Sequence, residues 1–189
     1  MDVANIIYED TQELESLMKE DSAATIIGGA HAVEVAGKLP KIMPAAVFGR
    51  VNGVRRMKVY NGIVELTVGP LAGKVEVELV KKKAADLPQT MFAYMGSSGN
   101  SVKIWTLFTR PDGTLPQTQE EAELFQAHAY RLAVKCYQPQ IPFDIQLKEP
   151  LLEQYSRLSY DPAPFYRKNA VPFYLSQPFG MPKEMTYRE

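Results

Sequence analysis

Two runs rich in aromatic and β-branched residues, Thr90-Met-Phe-Ala-Tyr-Met95 and Val102-Lys-Ile-Trp-Thr-Leu-Phe-Thr109, are joined by the small polar segment Gly96-Ser-Ser-Gly-Asn-Ser101. Apolar runs interrupted this way specify two strands and a tight reversal, which commits the chain to an antiparallel sheet. Gly96 and Gly99 allow positive φ in the loop. Ser97, Ser98, Asn100 and Ser101 leave amide N–H groups able to face an anion, and Lys103 supplies a charge just past the turn. Such a loop can hold a phosphate, although ordinary turn chemistry accounts for the same residues without a ligand.

The segments around this hairpin extend the pattern. Ile63-Val-Glu-Leu-Thr-Val68 has central-strand character and carries Glu65. Residues 74–85 alternate like a strand, yet Leu71, Val75 and Leu79 also fit a helix, and the preceding Gly69-Pro70 break favours the helix. Thr118-Gln-Glu-Glu121 has capping-box form, and the helix after it places Ala122, Phe125, Ala129, Leu132, Ala133 and Cys136 on one face before Pro139 and Pro142. Phe143-Asp-Ile-Gln-Leu147 reads as a short strand. Strand, helix, strand, strand, helix, strand predicts an α+β split β-α-β palm: an antiparallel or mixed sheet with its helices packed on one face.

A smaller N-terminal α/β part is expected before the palm. Asp10-Thr-Gln-Glu13 is a capping box that opens a helix over residues 10–20, and residues 23–35 are small and apolar without a clear assignment. Ala45-Ala-Val-Phe-Gly-Arg-Val51 reads as a strand ended by Asn52-Gly53. Residues beyond 157 are proline-rich and aromatic without strand or helix period. The chain is thus expected to form one domain over residues 1–189, with a palm core at about 45–178.

Composition mainly excludes. With 46% hydrophobic residues, 23% charged and a net charge of -1, no global basic character points to nucleic acid, so such a contact must come from a local patch such as Arg55, Arg56 and Lys58. Cys136 is the only cysteine, which rules out an intrachain disulfide. His31 and His128 are the only histidines, and neither has a second ligand at structural-zinc spacing. The N-terminal residues lack signal-peptide form and no apolar run approaches membrane-spanning length, so a cytoplasmic setting without a membrane partner is expected.

Four segments, in order, resemble the archaeo-eukaryotic primase (prim-pol) superfamily, and within it the N-terminal domain of virulence-associated protein E-like proteins of Bacteroides-type bacteria. The resemblance spans residues 40–178. The superfamily's Asp-hydrophobic-Asp pair on a central strand corresponds to Glu65 and Thr67. Its Ser-Gly-x-Gly-x-His loop corresponds to Ser98-Gly-Asn-Ser-Val-Lys103, with Lys103 at the His position. Its hydrophobic-Asp motif corresponds to Phe143-Asp144. Arg157-Leu-Ser-Tyr-Asp-Pro162, with Tyr166 and Asn169-Ala170 behind it, resembles the segment that follows the third motif, and this block is the most specific of the four.

The resemblance implies a replication module of mobile elements that binds nucleoside triphosphate and single-stranded DNA beside a helicase-type ATPase, in the same chain or another. It implies Glu65 and Asp144 as ligands of Mg²⁺ or Mn²⁺. It also implies Lys103 beside them, with Ser97, Ser98, Asn100, Ser101, Lys103 and Arg157 as nucleotide contacts, for metal-dependent nucleotidyl transfer. Two-metal phosphoryl transfer needs acidic oxygens that hold ions ~4 Å apart. Thr67 offers only a neutral oxygen, so an alternative of another class stands beside the enzyme: a catalytically inactive domain of this fold that binds DNA or docks proteins. Each residue also has a plain explanation. Glu65 and Lys103 suit the wet face of a sheet, Asp144 a strand end, Arg157 and Asp161 a salt-bridged loop, and Lys81-Lys-Lys83 a solvated edge.

Overall fold

The computed structural model describes residues 38–176. The expected helix over residues 10–20, the apolar stretch 23–35 and His31 lie outside the described residues. Within them the elements are β1 (Lys41–Ile42), β2 (Ala46–Val51), β3 (Val54–Tyr60), β4 (Ile63–Val68), α1 (Lys74–Ala85), β5 (Thr90–Met95), β6 (Val102–Thr109), α2 (Gln119–Tyr137), β7 (Ser156–Arg157), β8 (Phe165–Tyr166) and β9 (Phe173–Tyr174).

The opening hairpin is the centre of the sheet. Strand order is β4-β6-β5-β8, and β6 runs antiparallel to both β4 and β5. Strands β4 and β5 are therefore parallel, joined through α1, with β6 inserted between them: the split β-α-β arrangement that the element order predicts. Gly99 takes φ +74 in the β5–β6 turn, as a left-handed position requires. Gly96 is not among the positive-φ glycines, and a Cβ there would oblige the Ser101 hydroxyl to turn away.

Strand alternation separates two faces. Val64, Leu66 and Val68 of β4 and Val102, Ile104 and Phe108 of β6 share one buried cluster with Val77, Val80 and Ala84 of α1 and Phe125, Ala129, Ala133 and Tyr137 of α2. Both helices thus cover the same face. Thr118 caps α2 by accepting from the Glu121 N–H at 3.3 Å. The opposite face carries a second cluster of Phe92, Tyr94 and Trp105, packed with Ile42, Ile63 and Met91. Tyr94 meets Trp105 edge to face at 5.8 Å, an arrangement worth about 1 kcal/mol beyond area burial.

Three expectations need correction. Residues 143–147 form no strand, only the bridge Val68↔Ile145 with Gly69 N–H to Asp144 C=O at 3.2 Å and Gln146 N–H to Thr67 C=O at 2.8 Å. Side chains at α2 satisfy groups of the segment instead: Gln138 accepts from Ile145 N–H and the Tyr130 hydroxyl donates to the Gln146 carbonyl. Strand β3 was not expected, because a bulge opposite Val47 and Phe48 interrupts its alternation. It pairs with β2 through a turn in which Asn52 (φ +50) and Gly53 (φ +78) are both left-handed, the preference of Asn-Gly hairpins. The aperiodic tail supplies three two-residue strands, β8 along β5, β9 along the end of β6, and β7 along β1.

The third correction concerns charge. Asp161 does not pair with Arg157; its carboxylate holds the ammonium of Lys81 from α1 at 2.9 Å and accepts the Met95 N–H at 2.8 Å. Both side chains of the pair are only 4% exposed, so Lys81 is no part of a solvated edge, whereas Lys82 and Lys83 are exposed. This pair, with Ser159 bonded to the Met95 carbonyl, clamps the tail across the end of β5. Removing one partner strands a buried charge. Lys81→Met is expected to cost about 3 kcal/mol in urea unfolding with an unchanged denaturant slope, and a loss under about 0.5 kcal/mol would show that the clamp carries no stability.

Candidate functional site

Register places the site. Strand β6 sets Trp105 opposite Glu65 and Lys103 opposite Thr67, while on its other side Trp105 meets Phe92 and Lys103 meets Tyr94. Residues two apart share a face, so all six stand on the side of the sheet away from the helices. The Glu65 carboxylate is used at both oxygens: Oε1 accepts from Lys103 Nζ at 3.1 Å and Oε2 from Trp105 Nε1 at 2.9 Å. Glu65 and Lys103 are 14% and 17% exposed, so this pair is well shielded from water.

Lysine 148, which sequence reasoning did not single out, completes the cluster. Its Nζ donates to Thr67 Oγ1 at 2.8 Å, and Lys103 Nζ donates to the same oxygen at 3.0 Å. The signal was latent in the segment after the third motif. Extending the antiparallel register from Val68↔Ile145 sets position 148 opposite Glu65. Two ammonium groups gathered on one hydroxyl oxygen repel each other. Burial, followed by the charge of Lys103 and opposed by Glu65, pushes the Lys148 amine down to about 8. Burial and the nearby Glu65 carboxylate also push the Tyr94 phenol well up.

The other expected residues divide between this cluster and separate places. Asp144 is exposed, and its backbone meets Gly69 past the end of β4; it lines a groove of about 710 Å³ with Gly69, Pro70 and residues 142–148. Lys148 also lines that groove, and it lines a cavity of about 20 Å³ beside Glu65, Tyr130 and Tyr155, room for about one water. In the loop, the Gly96 and Gly99 N–H groups are consumed within the turn, Ser98 bonds the Asn100 side chain, and the Asn100 carbonyl accepts the Leu71 N–H at 2.7 Å. Arg157 lies in β7 opposite Lys41, and its buried Nε has no acceptor among the described residues.

The cationic hairpin is split by its pleat. Arg55 leans over the Phe48 ring at 4.9 Å and reaches Met43 and Glu153, whereas Arg56 pairs with Gly49 on the other face, where Lys58 also covers Gly49. Arg56 and Lys58 are exposed beside Val47, Val51, Val54 and Val59.

These donor sets can be tested for a divalent cation. Among the described residues no three His, Cys, Asp or Glu side chains come together. Glu65 is neutralised by an ammonium and an indole N–H, and Thr67 is shared by two ammonium groups, so this arrangement does not fit a two-metal centre. Its chemistry is that of a shielded, net cationic cluster.

The fold is thus an α+β domain with a split β-α-β sheet, its polar cluster on the face away from the helices. The family model of the BT4734-like, N-terminal domain matches residues 34–166. The chain belongs to that Bacteroides-type family. Neither a curated protein nor a solved structure matches it. Among the described residues no helix is long and apolar enough to cross a membrane.

The depressed Lys148 amine makes stability depend on pH. Between about 8 and the ordinary 10.5 the unfolded chain binds the extra proton, so this residue's contribution to stability rises with pH across that window. Unfolding of the parent chain measured from pH 7.5 to 10.5 should gain stability relative to Lys148→Met. Parallel curves for the two proteins would contradict the depressed amine.

Proposed function

We propose that this chain is a divergent primase-polymerase-type domain of a mobile-element replication protein, which binds nucleotide and single-stranded DNA and in its present form acts as a binding module beside a helicase-type ATPase. The split β-α-β order supports the kinship, as do the Ser98 to Lys103 loop between the Glu65 and Asp144 segments and the Arg157 to Pro162 block. The observation that carries the binding reading over the enzymatic one is the Glu65–Lys103 ion pair. A carboxylate meant for Mg²⁺ or Mn²⁺ must present free oxygens to the cation, and here both are occupied.

Nucleotidyl transfer, by attack of a 3′-hydroxyl on the α-phosphate of a triphosphate, would require Glu65 to leave Lys103 and join Asp144. The binding reading expects a thermal shift with nucleotide and no primer synthesis with Mg²⁺ or Mn²⁺, alone or joined to the ATPase partner. Glu65→Asp, Thr67→Asp and Lys103→His together restore the superfamily pattern, and activity gained only in that variant supports a lapsed enzyme. Primer products from the unaltered protein would overturn it.

Single-stranded DNA is expected along the outer face of the β2–β3 hairpin. Arg56→Ala with Lys58→Ala should weaken oligothymidine binding about ten-fold in anisotropy titrations and lower the salt slope by about 1.4, two phosphate contacts at ~0.7 each. An unchanged slope would remove the hairpin from the DNA path.

A further inference from the structure

The polar cluster holds more positive charge than its own carboxylate can balance. Among the described residues Glu65 is the one acidic side chain bonded to it, and its two oxygens serve Lys103 and Trp105. Lys148 is left with Thr67 Oγ1 as its sole acceptor among the described residues. An ammonium group carries three N–H donors, so Lys148 retains two and Lys103 one beyond the bonds just described. Both ammonium groups are anchored on a single hydroxyl oxygen, with the Lys103 side chain only 17% exposed and Lys148 lining the small cavity beside Glu65. The ligand that suits such a constellation is an oxyanion that presents several acceptor oxygens at once.

We infer that Lys103 and Lys148, joined through the Thr67 hydroxyl, form a metal-independent site for a phosphate-type oxyanion, with Lys148 as the residue that distinguishes it. The chemistry selects a phosphate end group: two ammonium groups anchored on one hydroxyl oxygen suit the neighbouring oxygens of one tetrahedral group or of a pyrophosphate. Lys148 also lines the groove of about 710 Å³ along Gly69, Pro70 and residues 142–147, a volume that accommodates the rest of a nucleotide. Exposed Asp144 on that groove disfavours a bare anion there, so the phosphate end belongs at the lysines and a less charged portion at Asp144. The site rests on the nucleotide-binding reading for its physiological ligand, but the anion chemistry stands without it.

Calorimetric titration of the full chain in EDTA with inorganic phosphate, pyrophosphate and ATP tests the inference. Pyrophosphate is expected to bind without a divalent cation. Lys148→Gln should weaken that binding about ten-fold or more, the value of a lost charged hydrogen bond, while Lys148→Arg keeps the charge and stays within about three-fold. Circular dichroism and urea midpoints confirm that each variant folds, and a second substitution, Thr67→Val, removes the shared oxygen without touching either charge and should also weaken binding. Pyrophosphate bound without ATP would uphold this site and count against the nucleotide reading. Nucleotide bound only with Mg²⁺, and equally well by Lys148→Gln, would overturn the site and leave the nucleotide reading intact.

Discussion

The pairing of β6 between β4 and β5 is the constraint on which the rest of this structure depends. Antiparallel registry on both sides fixes every side chain of three strands to one of two faces at once. One face delivers Val64, Leu66, Ile104 and Phe108 to the helices, and the other delivers Glu65, Thr67, Lys103 and Trp105 to one another. A slip of one residue would send Lys103 and Glu65 into the apolar core while exposing Ile104 and Leu66. The cost of burying those charges without partners makes the register self-enforcing.

The same registry decides the chemistry of the polar face. An Asp-x-Asp pair at positions 65 and 67 would stack two carboxylates on one side of β4 and attract cations. With Thr at 67 and Lys at 103, the strongest local attraction is between neighbouring strands, and the carboxylate is spent inside the sheet. Lys148 then turns a neutral ion pair into a cluster with surplus positive charge. Position 67 thus matters for the acceptor that its hydroxyl offers to two cations.

Local pattern was enough where an element forms from its own residues. The β5–β6 hairpin, the β4 strand and the Thr118-capped helix were legible because periodicity and capping reside within contiguous segments. Thr67 opposite Lys103 was half legible, since both strands were read from their residues but their cross-strand adjacency was not drawn. The 143–147 strand failed because Gln138 and Tyr130, side chains at α2, compete for its backbone groups. The β3 strand was missed because a bulge scrambles its period, and Lys81 was misread because its partner lies 80 residues away.

The sequence by itself determined the α+β class, the β4, α1, β5, β6, α2 order of the central elements and the small polar loop, since each is written in adjacent residues. Tertiary structure alone decided that Glu65 is neutralised by Lys103 and Trp105, that Lys148 joins Thr67, that Asp144 faces a separate groove and that Asp161 belongs to Lys81. Those facts depend on distances between segments far apart in the chain. Charges act through space at a few ångströms, and only the folded sheet sets which charges come that close.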